Sequence, residues 1–232
     1  MKDIKYNNSE TYKKLIQKGN LKQNIYKNTL EAFETLKKQA LQFQGYWEEH
    51  YASKNDLIQV DIKVDIEHEF KLEFSTDVLL FMMHSNVFEF PRAHEVNRLP
   101  YVREDKNRSY CGVINIYNFL SDSFKYNRIN DSGYLIGRIY INIDKHFLIE
   151  GKREIGLIAN NFSKNNFDET AAISILDAGI NYSIDFDLLT PSYEDIKEIS
   201  VLDILQTEIQ STTIKTAKRM GFRFQADEDI IK

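Results

Sequence analysis

Apolar residues recur along this chain in two rhythms, and each rhythm predicts a different element. Between about residues 21 and 51, Tyr26, Leu30, Phe33, Leu36, Ala40, Phe43, Trp47 and Tyr51 follow one another at spacings of three and four, with Lys, Glu and Gln between them. That spacing keeps one face of an α-helix apolar. A shorter helical piece from Thr11 to Lys18 precedes it, and Gly19-Asn20, a pair that caps or breaks helices, is expected to separate the two. From Val60 to Phe74 the rhythm changes to two. Val60, Ile62, Val64, Ile66, Phe70, Leu72 and Phe74, with His68 among them, alternate with charged Asp61, Lys63, Asp65, Glu67, Glu69, Lys71 and Glu73. This is a strand with one buried and one wet face. No Gly or Pro interrupts it, so one long strand is expected, bent or curved because about 15 residues exceeds the usual strand length.

The segment Val78 to Met83 is apolar on both faces and predicts a central strand. Another strand follows at 111–120, then a polar loop at 121–132. Tyr134 to Ile143 and Phe147 to Ile158 predict a hairpin turning at Asp144-Lys145. Nothing between these strands is long enough for a helical crossover, so the sheet should be mainly antiparallel. Beyond it Asp168 is placed to cap a helix from Glu169 to about Leu188, with Ile173, Leu176, Ile180 and Ile184 inward. Thr190-Pro191 suits the start of another helix, ending at Gly221. The expected architecture is α+β: a central, mostly antiparallel sheet at 53–166, a helical segment at 1–52 before it and another at 167–232 after it.

Composition narrows the class. With 42% hydrophobic and 28% charged residues in 232, the chain resembles an ordinary soluble protein able to bury a core. A single cysteine excludes an internal disulfide. With no signal-peptide pattern at the start and no membrane-length apolar run, a cytoplasmic protein without membrane contact is expected. The net charge of −5 disfavours unspecific nucleic-acid binding. Charge is also uneven. Residues 1–50 are lysine-rich, whereas residues 167–210 hold ten acids and one lysine, Lys197. Opposite charges at two ends can steer one subunit onto another.

The densest concentration of unusual residues lies between His84 and Cys111. It holds two of the three prolines, two of the five histidines and the only cysteine. Arg92, Arg98, Arg103 and Arg108 stand there with Tyr101 and His94. Guanidinium forks bind carboxylate or phosphate, and tyrosine offers a stacking face, so these six residues form a candidate anion site. Glu95, Glu104 and Asp105 lie among them, and internal ion pairs are the structural alternative. His84, Glu89, His94 and Glu95 lack any zinc-type spacing, and no glycine-rich phosphate loop exists, so neither metal nor cofactor is expected. Phe147 to Lys152 resembles the apolar-Glu-x-Lys element of restriction-type nucleases. That resemblance implies Glu150, Lys152 and an upstream aspartate, Asp131 or Asp144, around Mg2+. Glu150 is expected to face Ile139, which leaves Asp131 several residues away along the strand and Asp144 at the turn. Cys111 near His84 and His94 has the elements of a thiol nucleophile, with inert packing the alternative.

The reading is a non-catalytic binding or assembly module, either a subunit of a larger bacterial or viral complex or a domain sensing an anionic small molecule. Protein partners or self-association come first, nucleic acid is disfavoured, and no membrane is involved. The rival reading is a metal-dependent hydrolase or nuclease on phosphate esters, with the four arginines as clamps and His84, His94 or Glu95 as base or ligand.

Overall fold

The computed structural model describes residues 9–54, 57–129, 131–159, 161–188, 190 and 192–201. The first element, α1, runs uninterrupted from Ser9 to His50, so the expected break at Gly19-Asn20 does not occur. Extending a formed helix through one glycine costs about 1 kcal/mol, less than starting a new one, and the flanking residues are good helix formers. Ile25, Thr29, Ala32, Phe33, Leu36 and Ala40 are buried, and Tyr26, Leu30, Phe43 and Trp47 pack beside them. The expected stripe therefore holds, except that exposed Tyr51 lies past the helix end. Tyr12, Leu15 and Ile16, on the first turns, are exposed.

Among the described residues, seven strands form one antiparallel sheet: β1 Val60–Ile66, β2 Glu69–Phe74, β3 Asp77–Met83, β4 Phe88–Glu89, β5 Tyr110–Leu120, β6 Tyr134–Asn142 and β7 Phe147–Gly151. The order is β1-β2-β3-β5-β6-β7, with β4 pairing the start of β5, and two short helices, α2 at Pro100–Glu104 and α3 at Ser121–Lys125, come before and after β5 in the chain. The single strand expected from Val60 to Phe74 is a hairpin turning at Glu67-His68. Its register pairs Val60 with Phe74 and Ile62 with Leu72, even with even, as far as Lys63 with Lys71. A bulge between Lys63 and Ile66 then carries Val64 and Ile66 outward, where both are exposed. Tertiary contacts hold this turn in place of turn-forming residues. Tyr26 OH lies 2.8 Å from His68 Nε2, and the Met83 N–H donates to the His68 carbonyl at 2.9 Å.

One face of the sheet presents Phe70, Leu72, Leu79, Phe81, Ile114, Ile116, Ile139 and Ile141 to α1 and to α4, Glu169–Ile184. Phe33 of α1 meets Phe70 at 5.4 Å between ring centroids, and Phe70 stacks on Phe81 at 4.5 Å. Each such side chain contributes about 1.5–3 kcal/mol by leaving water. Residues from all three stretches of the chain share this core. The helix α4 begins where expected, with Asp168 Oδ1 accepting the Ala171 N–H at 2.8 Å. Its buried face is Ala172, Ile175, Leu176, Gly179, Ile180, Tyr182 and Ser183. Leu176 and Ile180 point inward as expected, but Ile173 and Ile184 are 46% and 60% exposed. The chain carries two apolar stripes here, and the one with small residues wins: a Cβ on Gly179 would stand 3.2 Å from Leu79 Cδ1.

The β6–β7 hairpin turns at Asp144-Lys145 as expected, with Asn142 Oδ1 accepting the Asp144 and His146 N–H groups. α1 also holds this turn, since Asn28 donates to the carbonyls of Asn142 and Ile143 and Lys145 pairs with Glu31 at 2.8 Å. β7 ends at Gly151, short of the expected Ile158, because the chain coils into a 3-10 turn over Arg153–Leu157. Past α4 a short helix, α5, spans Tyr193–Ile196. The single long helix expected from Thr190-Pro191 is thus interrupted, since residues 197–200 are not helical, and what was expected between residue 202 and Gly221 lies outside the described residues. No described helix is long and apolar enough to cross a membrane.

Candidate functional site

The segment between β3 and β5 folds back over the sheet face that the helices leave uncovered. Its polar residues build its turns. His94 Nδ1 accepts the Val96 N–H at the head of a 3-10 turn, Glu95–Arg98, and Pro100 opens the short helix α2, Pro100–Glu104. Asp105 accepts the Asn107 N–H at the next turn, Lys106–Ser109. Phe90, Val96 and Val102 point down and join Cys111 and Phe162 in a second, smaller core.

The four arginines separate by role. Arg108 is a clasp: Nε donates to Asp144 at 2.9 Å, Nη1 donates to the Tyr101 carbonyl at 2.9 Å, and the guanidinium lies 4.3 Å from the Tyr101 ring centroid. Tyr101 OH donates to the same Asp144 carboxylate at 2.7 Å, and burial first of all pushes its phenol well above the usual range. Arg92, Arg98 and Arg103 are exposed, and none of the three forms an ion pair among the described residues. Neither these three nor Tyr101 and Arg108 line the main cleft; of the six candidate site residues only His94 does.

That cleft, of about 460 Å³, opens between β4 with the following residues and the uncovered faces of β5, β6 and β7. Phe88, Phe90 and Pro91 form walls, Cys111 and Val113 part of the floor. Across the floor runs a polar chain that strand pairing assembles, since Asn115 lies opposite Arg138 and Arg138 opposite Glu150. Arg138 Nε donates to Asn115 Oδ1 at 3.2 Å and Nη1 to Tyr140 OH at 3.4 Å. Tyr140 OH donates to Glu150 Oε2 at 2.7 Å, and Glu150 Oε1 lies 3.5 Å from His94 Nε2. Glu150 thus faces Arg138, one residue from the expected Ile139. The bond that Arg138 donates to the Tyr140 hydroxyl holds the Arg138 pKa above its ordinary value, and burial raises the Tyr140 phenol. The site therefore holds a permanent cation beside a neutral phenol.

Both histidines of the cleft have a fixed tautomer. A backbone N–H can only donate, so His94 Nδ1, bonded to Val96 N–H at 3.3 Å, carries the lone pair. His84 Nδ1 accepts the Asn86 N–H at 3.1 Å in the same way. In the neutral rings the proton then sits on Nε2, which makes each ring a donor there and leaves no lone pair for a metal. Among the described residues no group of three His, Cys, Asp or Glu side chains stands together as metal ligands would. The acids of the nuclease-like pattern are apart: Asp144 bonds Arg108, Asp131 accepts from Ser123 Oγ at 2.8 Å, and Glu150 bonds Tyr140. Cys111 is buried, and burial pushes its thiol far above the usual range, away from the reactive thiolate.

Sequence reasoning missed Asn115, Arg138 and Tyr140 as members of one site. A signal did exist in β6, where Arg138 and Tyr140 alternate with Ile139 and Ile141, polar groups on a strand that is covered on both sides. No family model, no curated protein and no solved structure matches this chain.

Proposed function

We propose that the protein is a non-catalytic binding module that holds a small molecule in the cleft between β4 and the β5–β7 face. One observation carries this: a continuous polar chain from Arg138 through Tyr140 and Glu150 to His94 on the floor of a cleft walled by Phe88, Phe90 and Pro91, with Glu89 beside them. Ligand sites combine apolar walls with a few fixed polar groups in this way, within volumes of about 300–1,000 Å³. The side chains are already held by one another, so little ordering is left to oppose binding. Cys111, the one thiol in the cleft, is protonated by burial and does not act as a nucleophile in this reading. Native mass spectrometry of protein purified from cells, followed by a thermal-shift panel of small acids, amines and neutral ring compounds, tests it. A bound small molecule that Tyr140→Ala or Glu150→Ala releases supports the module. Turnover of a phosphate ester by the pure protein would replace it with the hydrolase reading.

A role in assembly has its own support. Tyr12, Leu15 and Ile16 are exposed at helical spacing on α1, next to Lys13, Lys14 and Lys18, whereas the 167–210 stretch is acidic. A second copy of the chain offers the complementary charge. Light scattering tests this, because Leu15→Glu with Ile16→Glu should dissociate any dimer and leave a monomer unchanged.

A further inference from the structure

We infer that the cleft selects a monocarboxylate carried on a flat ring, with the carboxylate on Arg138 and the ring between the aromatic walls. This rests on the binding-module reading and specifies the chemistry of its ligand. Glu150 Oε2 accepts from Tyr140, and Oε1 lies 3.5 Å from His94 Nε2. Asn115 Oδ1 accepts from Arg138 Nε, and the Tyr140 hydroxyl both accepts and donates. Arg138 itself is not saturated. Nε and one N–H of Nη1 are used, while the second Nη1 N–H and both Nη2 N–H groups have no partner among the described residues. His84 adds an Nε2–H at the same cleft. On the floor the unmet demand is therefore for acceptors, while the exposed Glu89 carboxylate stands among the lining residues.

Guanidinium geometry sharpens the choice. Nε is committed to Asn115 and one Nη1 N–H to Tyr140, so Nη2 with the remaining Nη1 N–H is left for a planar, two-oxygen acceptor. A carboxylate fits that fork. Glu150 and Glu89 line the same cleft and oppose a doubly charged phosphate more than a singly charged carboxylate. A ring on the acid is favoured because Phe88, Phe90 and the His84 ring form the adjoining walls; His84 meets Phe88 edge-on at 4.7 Å, and Phe90 lies 4.6 Å from His94.

The test uses three probes of one shape and different charge: benzoate, benzamide and benzylamine. Each is titrated into the full chain while amide chemical shifts are followed by NMR. Benzoate is expected to move the Val113, Asn115 and Tyr140 amides and to bind about tenfold more tightly than either other probe, the scale of one charge-assisted bond pair. Arg138→Gln should remove that advantage without moving the α4 amides, and Arg138→Lys should recover only part of it. The inference is overturned if benzamide or benzylamine binds as well as benzoate, or if Arg138→Gln binds benzoate unchanged. In the first case cleft amides still move, so the binding module survives with a different ligand. If no probe moves any cleft amide at millimolar concentration, both readings fall. Should Arg138→Gln not fold, the ranking of the three probes on the unaltered protein decides alone.

Discussion

Thr29 of α1 rests directly on the backbone of Gly112 in β5. A Cβ on Gly112 would stand 2.0 Å from Thr29 Oγ1, and Thr29 is fully buried with its hydroxyl donating to the Ile25 carbonyl at 2.8 Å. Helix and sheet approach this closely because position 112 has no side chain. Gly112→Ala should therefore cost at least about 2 kcal/mol in urea unfolding, the scale of overpacking in a rigid core. Thr29→Ala in the same chain should recover part of that loss. An unchanged midpoint for Gly112→Ala would mean that the helix does not sit there.

Two other glycines should behave in the opposite way. Gly19 and Gly45 lie within α1 with nothing within 4 Å of a built Cβ. Gly45→Ala should raise stability by about 0.5–1 kcal/mol, because alanine loses less backbone freedom on folding. Gly19→Ala should increase helicity by circular dichroism. A loss of ellipticity at 222 nm would indicate a break at Gly19-Asn20 after all.

The Arg108 clasp ties the segment over the sheet to the β6–β7 turn. Arg108→Lys keeps the charge but loses the fork and the stacking on Tyr101, so it should destabilise by about 1 kcal/mol, limited by the solvent around Asp144. Hydrogen exchange should accelerate at residues 95–108 and stay unchanged in α4. Uniform acceleration across the molecule would contradict a local clasp.

Cys111 predicts an alkaline limb. Burial holds its thiol protonated well above the ordinary value. Below about pH 8 the folded and unfolded chains are both protonated and stability is complete. As pH rises past about 8.5 only the unfolded chain loses the proton, so stability falls, by up to about 1.4 kcal/mol per pH unit. Cys111→Ala should flatten that limb between pH 8 and 9.5. A disulfide reagent should label the thiol only at the rate of unfolding; fast labelling of the native protein would refute its burial.

At the start of α4, Asp168→Ala should cost about 1 kcal/mol through loss of the cap on the Ala171 N–H, and Asp168→Asn much less. Equal losses for both variants would argue that the carboxylate acts through charge alone.

Much of the framework could be read from side-chain rhythm because burial is a local demand on each element. The helical face from Phe33 to Ala40, the central strand, the Asp144-Lys145 turn and the Asp168 cap all followed from neighbours in sequence. The errors have a common cause in tertiary contact. The Glu67-His68 turn carries no turn-forming residue and is held by Tyr26 and by Met83, and α4 shows the face with Gly179 to the sheet because Leu79 requires a small neighbour. The candidate site was legible only in part for the same reason. His94 stands in a segment of conspicuous composition, whereas Asn115, Arg138 and Glu150 are scattered over 36 positions and meet only through strand register. Arg108 drew attention as an anion ligand and turns out to spend its donors on Asp144 and on the backbone.

Between Tyr26 and Glu31, α1 grips two turns that stand on opposite flanks of the sheet, one through His68 and the other through Asn142, Ile143 and Lys145. A rigid rod bolted to both flanks prevents that end of the sheet from fanning open. On the opposite face, the strands that carry Asn115, Arg138 and Glu150 are thereby held at a fixed spacing.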